Sequence, residues 1–157
     1  MAMIIVVDID GTVSKVGDRL KYLQEEPKNW DAFYDACFED EPYKDIINLL
    51  RTLYYNNVDG VEFVFCTGRR ESCRIATKNW IREHIGFASS STLLMRADGD
   101  KRHDTEVKPE LLFEWQDRRL HLGDDWQVDF ILEDRNSMVK KWRELGYRCL
   151  QVREGDF

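Results

Sequence analysis

Two aspartates, Asp8 and Asp10, follow a run of apolar residues from Met3 to Val7 and lead into Gly11 and Thr12. The apolar run is largely β-branched and reads as a strand buried on both faces. Side chains alternate along a strand, so Asp8 and Asp10 point to the same side. Two carboxylates so placed repel each other unless a cation lies between them. Gly11 lets the chain turn sharply, and Thr12 adds a hydroxyl and a backbone N–H. In open α/β sheets such a cluster falls where ligands bind, at the carboxyl ends of strands. These residue types suit chemistry at phosphorus. One carboxylate attacks, and a second acid protonates the leaving oxygen and then takes a proton from water. The competing reading is an Asx-type turn after a strand.

Further along, other element ends carry groups of the same kind. Residues 62–66 read as a strand that leads into Thr67, Gly68, Arg69 and Arg70. A hydroxyl there, followed by glycine, can meet a phosphate oxygen. Lys108 falls in the first turn of a helix predicted over 105–118. The helix dipole prefers anions at that end, so a lysine there suggests an anion in front of it. Residues 128–132 form a strand that ends in a second acidic pair, Glu133 and Asp134. Lysine and hydroxyls suit the equatorial oxygens of a phosphoryl group. A divalent cation lets anionic Asp8 approach an anionic phosphate, and carboxylates with water suit Mg2+.

The elements that must position these groups alternate along the chain. Pro42 opens an amphipathic helix over 43–55. A helix over 72–85 turns Ile75, Trp80, Ile81 and Ile85 inward. Residues 93–95 are a third strand, and Val107, Leu111, Leu112 and Trp115 form one face of the next helix. Asn136 caps a helix over 137–145, residues 147–152 are the last strand, and 153–157 are a tail. Strands alternating with helices predict a single α/β domain over 1–157. Its sheet is parallel, doubly wound and Rossmann-like, with helices on both faces. Residues 13–19 read as a polar loop, with Arg19 by itself a solvated cation, and 96–105 as a charged, solvated loop. Between them 20–41 is irregular apart from a short helix bearing Trp30, Phe33, Tyr34 and Cys37. Its aromatic stripe reads as packing rather than as a base-stacking platform. His84, His103 and His121 have no ligand pattern around them.

Charge and composition narrow the partners. The net charge of −7 over 157 residues argues against coating long nucleic acid, but a few arginines suffice to hold a strand end. No apolar run approaches the length of a membrane helix, and no signal peptide is expected. Cys37, Cys66, Cys73 and Cys149 have no metal spacing and read as reduced thiols of a cytoplasmic protein. Nothing in the sequence points to an oligomeric state.

The order of motifs resembles the haloacid dehalogenase-like phosphatase superfamily: Asp8-Ile-Asp10-Gly-Thr12, then Thr67-Gly-Arg69, then Lys108, then Glu133-Asp134. The resemblance implies that Asp8 is the nucleophile and Asp10 the general acid and base. It implies that Thr12, Thr67, Gly68 and Lys108 hold the phosphate. Asp8, Asp134 and the Asp10 carbonyl would hold Mg2+. Many relatives have two aspartates where this chain has Glu133 and Asp134, which leaves either as the direct ligand. A narrower likeness is to the 3′-phosphatase domain of bacteriophage polynucleotide kinase/phosphatase. It lies in 8–19, 67–69, 104–108, 132–135 with the Trp142 helix, and the closing 155–157. This likeness implies that Arg19, Arg69 and Asp104 are active-site groups and that 20–57 is a small helical cap insertion. The sequence has no GxxxxGK[ST] loop, so the expectation is a stand-alone phosphatase without a kinase half, in the cytoplasm of an infected host. The expected activity is removal of a 3′-phosphate from polynucleotide ends. A nucleotide (5′-nucleotidase) or small-metabolite phosphatase is the alternative, which the acidic charge favours. A receiver-like phospho-acceptor domain is disfavoured, because its aspartate lacks the adjacent acid that drives turnover.

Overall fold

The computed structural model describes residues 2–122 and 127–156; Phe157, the last residue of the closing likeness, lies outside them. Five strands form one parallel sheet: β1 (Met3–Val7), β2 (Val61–Arg70), β3 (Thr92–Arg96), β4 (Phe130–Arg135) and β5 (Cys149–Gly155), in the order β3-β2-β1-β4-β5. The helices are α1 (Trp30–Asp35), α2 (Lys44–Asn56), α3 (Arg74–His84), α4 (Asp104–His121) and α5 (Asn136–Glu144), with short 3-10 turns between some of them. The chain builds outward from β1 through β2 to β3, then returns to lay β4 on the other side of β1. Strand order therefore reverses between β1 and β4, and this is where an open sheet leaves a crevice.

Alternation along the strands divides the core into two layers. Ile5, Val7, Phe63, Phe65, Leu93 and Met95 pack on one face with Ile46, Ile47 and Leu50 of α2 and Trp80 and Ile81 of α3. Ile4, Val6, Val64, Cys66, Leu94 and Ile131 pack on the other with Leu112 and Trp115 of α4 and Met138, Val139 and Trp142 of α5. Both layers depend on near-continuous apolar strands, the mark of a sheet covered on both sides. The doubly wound α/β reading of the sequence is the observed fold. Within the stretch 20–57, α2 belongs to the first core layer, whereas α1 and the 3-10 turns Gly17–Leu23 and Ala36–Glu39 touch that layer through Cys37 and, at its edge, Tyr34.

The structure departs from the sequence reading at several ends. β2 continues through Thr67, Gly68 and Arg69 to Arg70, with a bulge in its pairing to β3, so those residues extend a strand instead of following one. β4 likewise runs through Glu133 and Asp134, and β5 takes in part of the expected tail. Asn136 is the first residue of α5 and not its cap, because its Oδ1 accepts from Gln151 Nε2 at 2.7 Å. Ile75 is 77% exposed and not in the core. Helical turns of 100° per residue carry the buried stripe of α3 through Thr77, Trp80 and Ile81, and Ile75 falls outside it.

This register gives a direct test. Ile81→Ala should cost about 2–5 kcal/mol of stability, as large-to-small changes in packed cores do. Ile75→Ala should stay within about 0.5 kcal/mol, as surface changes do. Urea denaturation of both variants checks this, and equal losses would contradict the assigned face of α3.

Candidate active site

β1 ends with the Asp8 amide donating to the Leu132 carbonyl of β4 at 3.0 Å. The chain then tightens around the Ile9 carbonyl, which accepts from the amides of Thr12, Val13 and Ser14 at 3.0–3.2 Å. Gly11 makes this turn at φ +90, and a Cβ there would sit 2.1 Å from Asp134 Oδ2. Glycine is required both for the dihedral and for the close approach of β4. The Thr12 amide, expected to be available beside the aspartates, is spent inside the turn. Its buried hydroxyl remains, 3.0 Å from Asp8 Oδ2 and 3.4 Å from Asp134 Oδ1.

Lys108 reaches this turn from α4 and is almost wholly buried. Its Nζ donates to Asp8 Oδ1 at 2.6 Å and to Glu133 Oε2 at 2.9 Å. The anions that its ammonium meets in the structure are the protein's own carboxylates. Ligand oxygens of Asp8, Glu133 and Asp134 all lie within 4.8 Å of one another. When ionised, three carboxylates face one ammonium, which leaves two negative charges in a buried place. Burial and the neighbouring Glu133 push the Asp8 carboxyl up to about 7. Burial and Asp8 push Asp134 up to about 6. Lys108 is held well above its usual range, because its carboxylate neighbours outweigh its burial. An all-oxygen donor set with this excess charge fits a hard divalent cation such as Mg2+. Glu133 also accepts from the amides of Asp134 and Arg135, at 3.2 and 3.4 Å, so it is the more tied of the acidic pair.

Asp10 leads a second network. Its Oδ1 accepts from Arg19 Nη2 at 2.8 Å and from Arg69 Nη2 at 2.6 Å, and both its oxygens face Arg69 Nε. Burial alone would raise the Asp10 carboxyl, but Arg69 and Arg19 outweigh it and hold it at about 2. Its side chain lies outside the carboxylate cluster of Asp8, Glu133 and Asp134. Arg19 is 3% exposed, a buried member of this network and no solvated loop residue. The residue that orients both arginines is Asp40, which the sequence reading missed. Arg19 donates to it through Nε and Nη2 at 2.7 and 2.6 Å, Arg69 at 3.1 Å and the Ser14 hydroxyl at 2.6 Å. Trp80 Nε1 fixes its carbonyl at 2.7 Å. Asp40 sits in the run Glu39-Asp40-Glu41, which carries no mark distinguishing a buried carboxylate from solvated neighbours.

Asp104 holds a third corner. Arg96 Nη2 and Arg135 Nη1, the latter at 2.9 Å, donate to it. A Cβ on Gly68 would lie 2.6 Å from its Oδ1, so β2 can pass only as glycine there. Arg96 Nε also donates to the Gly68 carbonyl at 3.0 Å. The ends of the stretch 96–105 are therefore joined by the ion pair of buried Arg96 with partly buried Asp104, whereas most of its middle is exposed as expected. Thr67 is buried, and its hydroxyl accepts from the Arg69 amide at 3.2 Å. The expected residues thus converge on the carboxyl ends of β1, β2 and β4 and the start of α4. Arg96, Arg135 and Asp40 join them, recruited by contacts distant in sequence.

Residues 2–157 match the family described as the polynucleotide kinase PNKP phosphatase domain. A protein of Autographa californica nuclear polyhedrosis virus, assigned as a bifunctional polynucleotide kinase/RNA ligase, is 26% identical over 141 residues, which are 90% of this chain and 18% of that protein. A chain of the Pnkp1/Rnl/Hen1 complex superposes with a TM-score of 0.75 at 26% identity, over 100% of this chain and 48% of that one. A chain of the Pnkp1/Rnl/Hen1 RNA repair complex gives 0.77 at 26% identity, with 44% of it covered. A haloacid dehalogenase-like hydrolase from Streptococcus pneumoniae, 14% identical over 96% of this chain and 84% of its own, shares the fold at a TM-score of 0.63. The chain spans less than half of each of the first three relatives.

The two networks yield separate tests. Asp40→Asn leaves two buried guanidiniums short of a carboxylate and should cost about 3–5 kcal/mol. Glu41→Gln removes only an exposed pair with Lys15 and should cost less than about 1 kcal/mol. Urea titrations of the two variants decide this, and similar losses would deny Asp40 its role. The second test concerns pH. Asp8 and Asp134 titrate near 7 and 6 in the folded chain but near 3.8 when unfolded. Between those limits the folded state binds more protons, so the metal-free protein should lose stability as pH rises from about 4 to about 7. Asp10, depressed to about 2, works in the opposite sense only below this window. Mg2+ should therefore raise Tm more at pH 7.5 than at pH 5, and Asp134→Asn should remove most of that gain. A Tm indifferent to both pH and Mg2+ would contradict a charged metal site.

Proposed function

Because this chain belongs to the polynucleotide kinase PNKP phosphatase domain family, we propose that it removes the 3′-phosphate from the ends of DNA or RNA strands. As a haloacid dehalogenase-type phosphatase domain it is a hydrolase. The observation that most supports the reading is the division between its two leading aspartates. Asp8 lies under Lys108, and Asp10 lies under Arg19 and Arg69. Carboxylates in such different surroundings are suited to different tasks.

In this reading an Asp8 carboxylate oxygen attacks phosphorus, and the bond from phosphorus to the 3′ oxygen breaks as the aspartyl-phosphate forms. Asp10 gives its proton to the departing oxygen, then takes one from the water that releases phosphate and restores Asp8. In the structure Asp10 is held ionised by its arginines, which suits the second step. For the first step we propose that the substrate's anionic oxygens compete for Arg19 and Arg69, so that Asp10 can keep a proton. Lys108, Thr67 and the backbone around Gly68 face the phosphate oxygens. Asp8, Asp134 and Glu133, with the Asp10 carbonyl, would hold Mg2+, which when bound offsets the charge of nucleophile and phosphate.

The remaining proposals follow from scale and charge. The 3-10 turn Gly17–Leu23, α1 and the turn Ala36–Glu39 act as a small cap that leaves room for the end of a polymer. The charge of −7 limits contact to the terminal nucleotides. No helix among the described residues is long and apolar enough to cross a membrane. The same charge favours the second reading, a nucleotide or small-metabolite phosphatase.

A substrate panel tests the proposal. With Mg2+, 3′-phosphate oligonucleotides should exceed 5′-phosphate oligonucleotides and 5′-mononucleotides in kcat/KM by about two orders of magnitude. Asp8→Asn should lower turnover by orders of magnitude in a protein that melts normally. Preference for 5′-mononucleotides would replace the polynucleotide reading with the metabolite one. Retained activity in Asp8→Asn would remove the nucleophile assignment.

A further inference from the structure

α1 places three aromatic side chains beside the active site: Phe33 is buried, Tyr34 leans partly on the first core layer, and Trp30 is left exposed. Phe33 is 8% exposed. Trp30 is 40% exposed, and Tyr34 is half-buried. Trp30 and Tyr34 are four residues apart, so they share a helix face. Their rings stack, with centroids 6.1 Å apart and planes 25° from parallel. The Phe33 ring supports both edge-on, at 5.9 and 5.3 Å. A flat aromatic surface held this firmly and left partly open offers a face to another flat ring.

One tether connects this surface to Asp10, and a second ties it to the end of β2. Arg19, which donates to Asp10, also donates to the Phe33 carbonyl at 3.1 Å and lies 4.5 Å from the Phe33 ring centre. Arg70 follows Arg69 in β2, lies 4.9 Å from the Tyr34 ring centre, and pairs with Asp31 of α1 at 3.0 Å. A second exposed aromatic group among the described residues differs in place. Tyr54 and Tyr55 pack with Phe87, and Tyr54 lies against Phe63 near the opposite, starting end of β2. Of these two groups, the α1 aromatics are the ones that meet Arg19 and Arg70.

We propose that Trp30, backed by Tyr34, is a stacking platform for the base of the 3′-terminal nucleotide. The ligand class is a nucleobase whose sugar carries the phosphate in the crevice, and any base would serve, since every base has a flat face. This assigns Trp30 a binding role where its spacing in the sequence suggested packing. The inference rests on the polynucleotide reading above. Stacking adds affinity without touching the reacting atoms, so its loss appears in KM and leaves kcat nearly unchanged.

The test uses steady-state kinetics on two oligonucleotides that both end in a 3′-phosphate. One carries a base on its terminal nucleotide, and the other is abasic there. The wild-type chain should show a lower KM for the base-bearing strand by about 5- to 150-fold. Trp30→Ala should raise that KM by a comparable factor, leave kcat within about twofold, and leave the abasic substrate unchanged. Trp30→Phe keeps a ring and should retain most of the preference. Equal KM changes on both substrates in Trp30→Ala, or no change on either, would overturn the platform. A wild-type chain that hydrolyses small phosphate esters but neither oligonucleotide would overturn the substrate reading, and the platform with it.

Discussion

The site is governed by the need to hold many carboxylates in a nearly dry place. The carboxyl ends of β1 and β4 bring Asp8, Glu133 and Asp134 together, and burial makes each charge costly unless it is paired. The structure answers in two ways. Around Asp10 and Asp40 two arginines balance two carboxylates, and every group there has a partner. Around Asp8 a single lysine faces three carboxylates, and the imbalance remains. The balanced network can be rigid without any ligand. The unbalanced one carries an excess of negative charge that fits a hard divalent cation.

The fold makes this contrast possible. Parallel strands all end on one side, so their carboxyl ends gather groups distant in sequence without any long loop. The reversal of strand order sets β1 next to both β2 and β4, and each neighbour supplies a different partner. β2 sends Arg69 to Asp10, while β4 sends Glu133 and Asp134 toward Asp8. The apolar strands beneath, alternating between two helix layers, supply a rigid base for these ends. Asp104 then ties β2, β3 and β4 together through Gly68, Arg96 and Arg135.

The segment that holds α1 is coupled to Asp10 through Arg19. This side chain meets Asp10 from the core, Asp40 from the end of the segment, and the carbonyl of Phe33 within it. Movement of the segment is therefore felt at Asp10, and a change of charge at Asp10 is felt in the segment. A buried guanidinium suits this position, because its fork can serve several planar acceptors at once.

Much of this was present in the sequence alone. Apolar runs of strand length, separated by amphipathic helices, determined the doubly wound sheet, because burial on both faces leaves few alternatives. The order of Asp8, Asp10, Thr67, Lys108 and the Glu133–Asp134 pair was legible through its likeness to a phosphatase family, and the fold gathers these groups at the strand ends and the start of α4. Tertiary structure alone decided which charges meet. Nothing local distinguishes Asp40 from Glu39 and Glu41, Arg96 from the charged loop after it, or Ile75 from a core residue. Their fates depend on partners many residues away and on the angular phase of a helix whose start shifted by two positions. The state of Asp10 belongs to the same class. Its type and place were legible, but its charge was set by two arginines that only folding brings to it.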